Sequence, residues 1–130
     1  MGICYACSSD FSGEINLVPI VVMHGITDSA VDMEPLCEWI RKALPNVYVK
    51  NCEVGNGGHN SLDMRIDHQI ELLRDCINSD PMLANGFIGL AHSQGGFLLR
   101  SYLELYNHSH YKMLRLVTLS SPLGGYFVGR

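Results

Sequence analysis

The sequence predicts an α/β fold built on a parallel β-sheet, and three observations lead to this prediction. Short apolar runs rich in β-branched residues alternate along the chain with segments whose apolar residues recur at helical spacing. The runs are continuous and of strand length, which is typical of strands buried on both faces. Strands that alternate with helices form parallel sheets with right-handed crossovers. We therefore expect about four strands and three helices, with the chemistry beyond the carboxyl ends of the strands.

The first half of the chain contains two of these strands and one helix. The apolar run at residues 17–23 predicts the first strand. Apolar residues at i, i+3, i+4, i+7 and i+8 from Leu36 predict a helix over about 29–44, which Pro45 ends. A second strand is expected to begin at residues 47–49.

The second half repeats the alternation. Asn60 or Ser61 is the expected cap of a second helix, because both are good N-cap residues ahead of an apolar helical pattern. The remaining elements are expected in this order: the end of that helix at Asp80-Pro81, a third strand at 86–91, a third helix through about Tyr106, and a fourth strand at 114–119.

Composition limits the classes of protein that the chain can belong to. Its 130 residues are one domain at most, with an N-terminal segment (1–16) of no assigned structure and an α/β unit over 17–130. Hydrophobic residues make up 47% and charged residues 17%, which excludes intrinsic disorder. The net charge of −4 leaves no basic surface for nucleic acid. No apolar run reaches the roughly 18–20 residues of a membrane span.

The cysteines predict neither a metal site nor a disulfide framework. There are 5, and an odd count in a chain of this size is not a framework by itself. Cys4 and Cys7 form a CxxC, but no second pair follows at zinc-finger spacing. The start of the chain resembles an acylated N-terminus, yet Ala6 stands where myristoylation prefers Ser or Thr. We predict no metal and no cofactor.

The segment after the third strand, residues 91–96, resembles a nucleophile elbow. That motif, G-x-S-x-G between a strand and a helix, exposes a serine on a sharp turn whose neighbours must be small. Ala91 replaces the first glycine, a change of one carbon. We therefore predict that Ser93 is a nucleophile above the positive end of the following helix. The alternative is a serine in an ordinary glycine-rich helix cap.

The loop at residues 24–29, directly after the first strand, is the expected partner of the elbow. Acyl transfer needs two convergent backbone N–H donors for the oxyanion, and a loop beside the elbow can supply one of them. We predict that these donors are the N–H groups of Ile26 and Gln94. The alternative is a strand-ending turn in which Asp28 or Ser29 only caps the next helix.

Together these two segments resemble the α/β-hydrolase fold and, more narrowly, the palmitoyl-protein thioesterase family. Residues 19–29 are similar to the family's first strand and oxyanion loop, and 93–96 to its elbow. Residues 119–125 are similar to the segment after its next strand, particularly in the lysosomal thioesterase branch. The resemblance implies hydrolysis of long-chain acyl thioesters, on protein cysteines or related carriers, by a Ser–Asp–His triad.

The triad is where the sequence departs from the family. Its acid and base follow the serine, but the only carboxylate after Ser93 is Glu104, roughly 16 Å down the same helix. His108 and His110 lie at the far end of that helix. We therefore expect an incomplete α/β-hydrolase, its N-terminal half, with acid and base outside this chain and little activity of its own. The alternatives are a carboxylester lipase and a short, non-catalytic acyl-binding protein.

Sequence features that bear on the protein's location in the cell point in two directions. The resemblance implies the lysosome, and Asn107 begins an Asn-His-Ser glycosylation acceptor. The first 16 residues lack the basic start and apolar stretch of a secretory signal, and the cysteines indicate few disulfides, which favours the cytoplasm. We expect a lysosomal protein on the strength of the resemblance.

Overall fold

A computed structural model describes residues 16–107 and 110–125 of the chain. The predictions for Cys4, Cys7 and the acylated start concern residues outside these ranges, as do those for His108 and for most of segment 1–16. The elements in chain order are β1 (Ile20–Met23), α1 (Ala30–Ala43), β2 (Val49–Cys52), α2 (Gly58–Asp63), α3 (Ile66–Asn78), a 3₁₀ turn (Pro81–Leu83), β3 (Phe87–His92), α4 (Gln94–Tyr106) and β4 (Met113–Leu119). No helix among the described residues is long and apolar enough to cross a membrane.

The four strands form one parallel sheet in the order β2-β1-β3-β4. The predicted fold class is confirmed. In the centre, β1 pairs with both neighbours in register, so that Met23 lies between Cys52 and Ala91. The carboxyl ends of β1 and β3 therefore lie side by side, and the loop after β1 lies beside the turn after β3.

Helices cover both faces of the sheet because the side chains of β1 alternate between them. Val21 and Met23 pack into one core with α3 and α4, in which Leu73 and Tyr102 are fully buried. Ile20 and Val22 face the other core, against Met33, Cys37 and Ile40 of α1. Full burial of one such side chain contributes about 1.5–3 kcal/mol, so this short strand is a strong anchor.

The second helix differs from the prediction because it is two helices. α2 ends at Asp63 and α3 begins at Ile66, so neither Asn60 nor Ser61 caps a single long helix. Ser61 instead lies buried inside α2. The buried amide of Gln69 donates to the carbonyl oxygens of Ser61 (3.2 Å) and Met64 (2.8 Å) and so holds the break.

A disulfide between Cys52 and Cys76 joins the end of β2 to α3. The cysteine count did not indicate this bond, because a count does not reveal which two side chains the fold brings together. Closing a loop over a sequence separation of 24 residues contributes about 3 kcal/mol in the chain-entropy account. Disulfides form and persist in oxidising environments.

Asp80 lies between α3 and the 3₁₀ turn and is 7% exposed. It accepts hydrogen bonds from the Tyr48 hydroxyl (2.6 Å) and the Met82 N–H (3.0 Å), and the Lys50 ammonium lies 3.5 Å away. Burial raises the pKa of Asp80, but these three partners together outweigh it and hold the pKa below its ordinary value. The carboxylate therefore ties the strand β2 to the end of α3.

We expect Asp80→Asn to lower the free energy of unfolding by about 1–3 kcal/mol at pH 7, because a charged acceptor is lost. A folded-state pKa below the unfolded value of about 3.9 stabilises the protein above that pH, and the stabilisation is lost as pH falls through the folded pKa. Urea denaturation should show the same deficit at pH 5 as at pH 7 and a smaller one below pH 4. Asp75→Asn, at an exposed carboxylate of α3, is the control. A deficit that grows on acidification would contradict the assignment.

Candidate active site

Ser93 occupies a sharp turn between β3 and α4. Its φ of 50° and ψ of −125° are unusual for a residue with a side chain and cost of order 1–3 kcal/mol. The Ser93 N–H donates to the carbonyl oxygen of Leu119 at the end of β4 (2.9 Å), which helps to hold the turn. The predicted strand, turn and helix are all present, and Ser93 precedes the first turn of α4.

Two glycines explain how this turn packs so closely. A Cβ on Gly95 would overlap the carbonyl oxygen of His24 and lie 2.7 Å from that of Met23. A Cβ on Gly96 would overlap the Ser121 hydroxyl. The first turn of α4 therefore rests directly on the end of β1, which only glycine permits.

The loop after β1 is held by His24, which is 1% exposed. Its Nε2 accepts from the Val54 N–H (3.2 Å), so the proton is on Nδ1, which donates to the Gly25 carbonyl oxygen (2.9 Å). Both nitrogens of His24 are thus used to position backbone. Ser29 caps α1, as one interpretation of the sequence expected, and its N–H and hydroxyl both donate to Asp32.

α2 supports the same loop from its other side. The Thr27 N–H donates to the Ser61 hydroxyl (2.7 Å), which donates in turn to the carbonyl oxygen of Gly58 (2.8 Å). This contact fixes Thr27 at a φ of 64°. Sequence reasoning missed this role of Ser61 because the two residues are 34 positions apart and no local pattern links them.

The three residues predicted to carry the chemistry lie around one cavity. Ile26, Ser93, Gln94 and Pro122 line a space of about 470 Å³ at the carboxyl edge of the sheet. Gly25 lies against the serine, since a Cβ there would be 3.1 Å from the Cβ of Ser93. The geometry thus places a hydroxyl, the loop that carries Ile26 and the first residue of α4, Gln94, around a common space.

No described histidine side chain hydrogen-bonds to the Ser93 hydroxyl. Four histidines lie elsewhere: His24 is committed to backbone, His59 and His110 are exposed, and His68 lies beside Glu71 (3.3 Å). His92 contacts Asp28. Glu104, the carboxylate that follows Ser93, is exposed and pairs with Arg100 (2.6 Å). Within residues 16–107 and 110–125 there is also no group of three or more potential metal ligands.

The sheet, the turn at Ser93 and the loop beside it have the arrangement of the α/β-hydrolase fold. A solved structure of an extracellular α/β-hydrolase from a Paenibacillus species matches 81% of this chain and 41% of its own, with a TM-score of 0.63 and 20% identity. At that identity the likeness shows the fold.

The family follows from the sequence comparisons. Residues 19–130 match the profile of the family described as palmitoyl protein thioesterase. Palmitoyl-protein thioesterase 3 of Dictyostelium discoideum is 38% identical over 109 residues, 84% of this chain. The lysosomal thioesterase PPT2 homolog of Drosophila melanogaster is 34% identical over 122 residues, 93% of this chain. The chain belongs to the palmitoyl protein thioesterase family, and the resemblance inferred from the motifs is confirmed. It spans 37% and 41% of the lengths of these two relatives.

We expect Gly95→Ala to lower the free energy of unfolding of the full-length protein by about 1–3 kcal/mol, because the new methyl group meets backbone that cannot rotate away. Gly124→Ala is the matched control, since a Cβ at Gly124 meets nothing within 4 Å. Chemical denaturation measures both variants. Equal stability of the two variants would show that the contact between α4 and β1 leaves room for a methyl group at Gly95.

Proposed function

We propose that the protein hydrolyses long-chain acyl thioesters and removes palmitate-like groups from protein cysteines or related carriers. Ser93 is the nucleophile, and the N–H groups of Ile26 and Gln94 bind the oxyanion. The observation that carries the proposal is the convergence of these three residues on one cavity. Membership of the thioesterase family and the names of the relatives support the choice of substrate.

The proposed reaction has two steps. The Ser93 hydroxyl attacks the thioester carbonyl carbon as its proton passes to a histidine, and the thiol then leaves with that proton. Water, deprotonated by the same histidine, next attacks the acyl carbonyl carbon; the bond to the serine oxygen breaks, the fatty acid leaves, and the histidine returns its proton to Ser93. We assign the histidine and its acidic partner to positions outside the described residues, in keeping with the family's Ser–Asp–His order.

Backbone groups stabilise the charge that develops in both steps. The Gln94 N–H lies in the first turn of α4, a helix of 13 residues whose positive end faces Ser93. Donors held in position before the reaction stabilise the transition state without reorganising, and one donor is worth about 10²–10³ in kcat. The other proposed donor is the N–H of Ile26. The loop that carries it is held by three residues: His24, Ser61 and Ser29.

The surroundings of the cavity suit an apolar acyl chain. Ile26 lines the cavity and is 41% exposed, and Leu123, which follows Pro122 of the cavity wall, is 48% exposed. Exposed apolar side chains beside a reactive group give a long hydrocarbon chain surface to cover. The burial of each CH₂ contributes about 0.8 kcal/mol, so chain length strongly affects binding.

The test is Ser93→Ala in the full-length protein. We expect hydrolysis of a palmitoyl thioester to fall by at least about 10³-fold, and labelling by a serine-reactive fluorophosphonate to disappear, because the attacking oxygen is gone. Ser101→Ala is the control, since it removes a hydroxyl further along the same helix that donates only to the Phe97 carbonyl oxygen (2.9 Å). Retained turnover in Ser93→Ala would refute the proposal.

The same assay separates the alternatives. Faster hydrolysis of oxygen esters than of thioesters of equal chain length would favour a carboxylester lipase. Tight binding of fatty acid without turnover, unaffected by Ser93→Ala, would favour a non-catalytic acyl-binding protein.

We also propose that the protein works in the lysosome. A relative carries that location in its name, and the Cys52–Cys76 disulfide requires an oxidising environment to form. Asn107 supports the same route as a candidate glycosylation site. Its side chain bridges to Met113, accepting from the N–H (2.6 Å) and donating to the carbonyl oxygen (3.4 Å). One hydrogen of its amide nitrogen is left for attachment of a glycan.

We expect protein isolated from cells to have Cys52 and Cys76 protected from alkylation until it is reduced, and to lose mass when treated with an endoglycosidase. Intact-mass spectrometry measures both changes. Ser109→Ala should abolish the glycan without altering the Asn107 side chain, because the acceptor motif requires that hydroxyl residue. Free thiols and an absent glycan would indicate the cytoplasm.

A further inference from the structure

A histidine and an aspartate that lie close together beside Ser93 have no part in the proposed reaction steps. His92, the last residue of β3, places its Nδ1 3.5 Å from Oδ2 of Asp28 in the loop after β1. The His92 side chain is 46% exposed and that of Asp28 is 34% exposed. The pair thus links the loop after β1 to the end of β3 at the carboxyl edge of the sheet.

Gly25 lies directly beneath this pair. A Cβ on Gly25 would be 3.0 Å from Oδ2 of Asp28, 3.1 Å from the Cβ of Ser93 and 3.3 Å from Nδ1 of His92. These three side chains therefore surround one point. The His92 imidazole makes no hydrogen bond to Ser93, and its Nδ1 faces Asp28. This geometry argues against His92 as the base that deprotonates Ser93.

The sequence positions of the pair link it to the proposed oxyanion donors. Asp28 is two residues after Ile26, and His92 is two residues before Gln94. Each loop also has its own anchors, through Thr27 to α2 and through Ser93 to β4. Those anchors fasten each donor segment to a different neighbour, α2 or β4. The contact between Asp28 and His92 instead links the loop that carries Ile26 to the end of β3, just before Gln94.

We propose that Asp28 and His92 are positioning residues that fix the separation of the Ile26 and Gln94 N–H groups. The proposal rests on the proposed function. The substrate carbonyl oxygen is neutral when it binds and becomes negative only on the way to the tetrahedral intermediate, so a change in donor separation affects kcat and leaves substrate affinity largely unchanged. A misplacement of about 1 Å can cost as much as 10²-fold in rate.

A double-mutant cycle in the full-length protein tests the proposal. We expect Asp28→Ala and His92→Ala each to lower kcat by about 10–30-fold with KM within twofold. Because both remove the same contact, the double variant should be no slower than the slower single variant. His92→Asn keeps a donor at the position of Nδ1, the ring nitrogen that faces Asp28, and should recover most of the loss.

The matched control is another histidine–carboxylate pair in this protein. His68 and Glu71 are 3.3 Å apart and exposed on α3, away from the cavity, so His68→Ala should leave kcat within twofold. Thermal denaturation of every variant checks folding. If the alanine variants unfold early, His92→Leu decides, because it keeps the bulk of the side chain and removes the donor; a kcat within twofold of wild type would then overturn the inference.

The possible failures are distinguishable. Wild-type protein that neither turns over nor is labelled at Ser93 overturns the proposed function and this inference with it. With active wild type, single variants within twofold of its kcat, losses that multiply in the double variant, or effects confined to KM each overturn the inference alone. An active wild type that prefers oxygen esters still allows the test, because both ester types form the same oxyanion.

Discussion

The close approach of α4 to the end of β1 is the constraint on which the rest of the site depends. Gly95 brings the first helical turn against the carbonyl oxygens of Met23 and His24, where any side chain would overlap backbone. Since β1 is buried on both faces, it cannot shift to make room. Backbone packing therefore brings the turn at Ser93 and the loop at Gly25 together. No hydrogen bond between side chains is needed to make them neighbours.

Much of this architecture could be predicted from the sequence because its signals are local. Apolar segments indicated the positions of all four strands, although β2 itself is largely polar, and the bounds expected for α1 and the end of α4 agree with the structure to within about two residues. The break between α2 and α3 was not predicted. Its cause is the buried amide of Gln69, which bonds carbonyl groups 5 and 8 residues away, and a glutamine in an amphipathic pattern ordinarily indicates a solvent-facing position.

In the candidate site, too, local features could be predicted from the sequence and contacts between distant residues could not. Ser93, Ile26 and Gln94 were predicted from short motifs, because an elbow and its loop have steric requirements that sequence records. The support of Thr27 by Ser61, the Cys52–Cys76 disulfide and the approach of His92 to Asp28 join residues 24 or more positions apart. Contacts of that kind arise from how the sheet is ordered, and one sequence does not determine which of many distant pairs will meet.

The two kinds of group in this site also respond differently to mutation. The proposed oxyanion donors are backbone N–H groups, so the identity of the side chain at Ile26 matters for the cavity wall and little for the donor itself. Positions that fix the backbone are more demanding: Gly95 excludes a side chain, and His24 uses both ring nitrogens. Substrate preference can therefore change through exposed wall residues while the catalytic geometry stays fixed by buried ones. On this argument, relatives with different acyl chains should differ at Ile26, which lines the cavity, and at Leu123 beside its wall, and they should agree at His24 and Gly95.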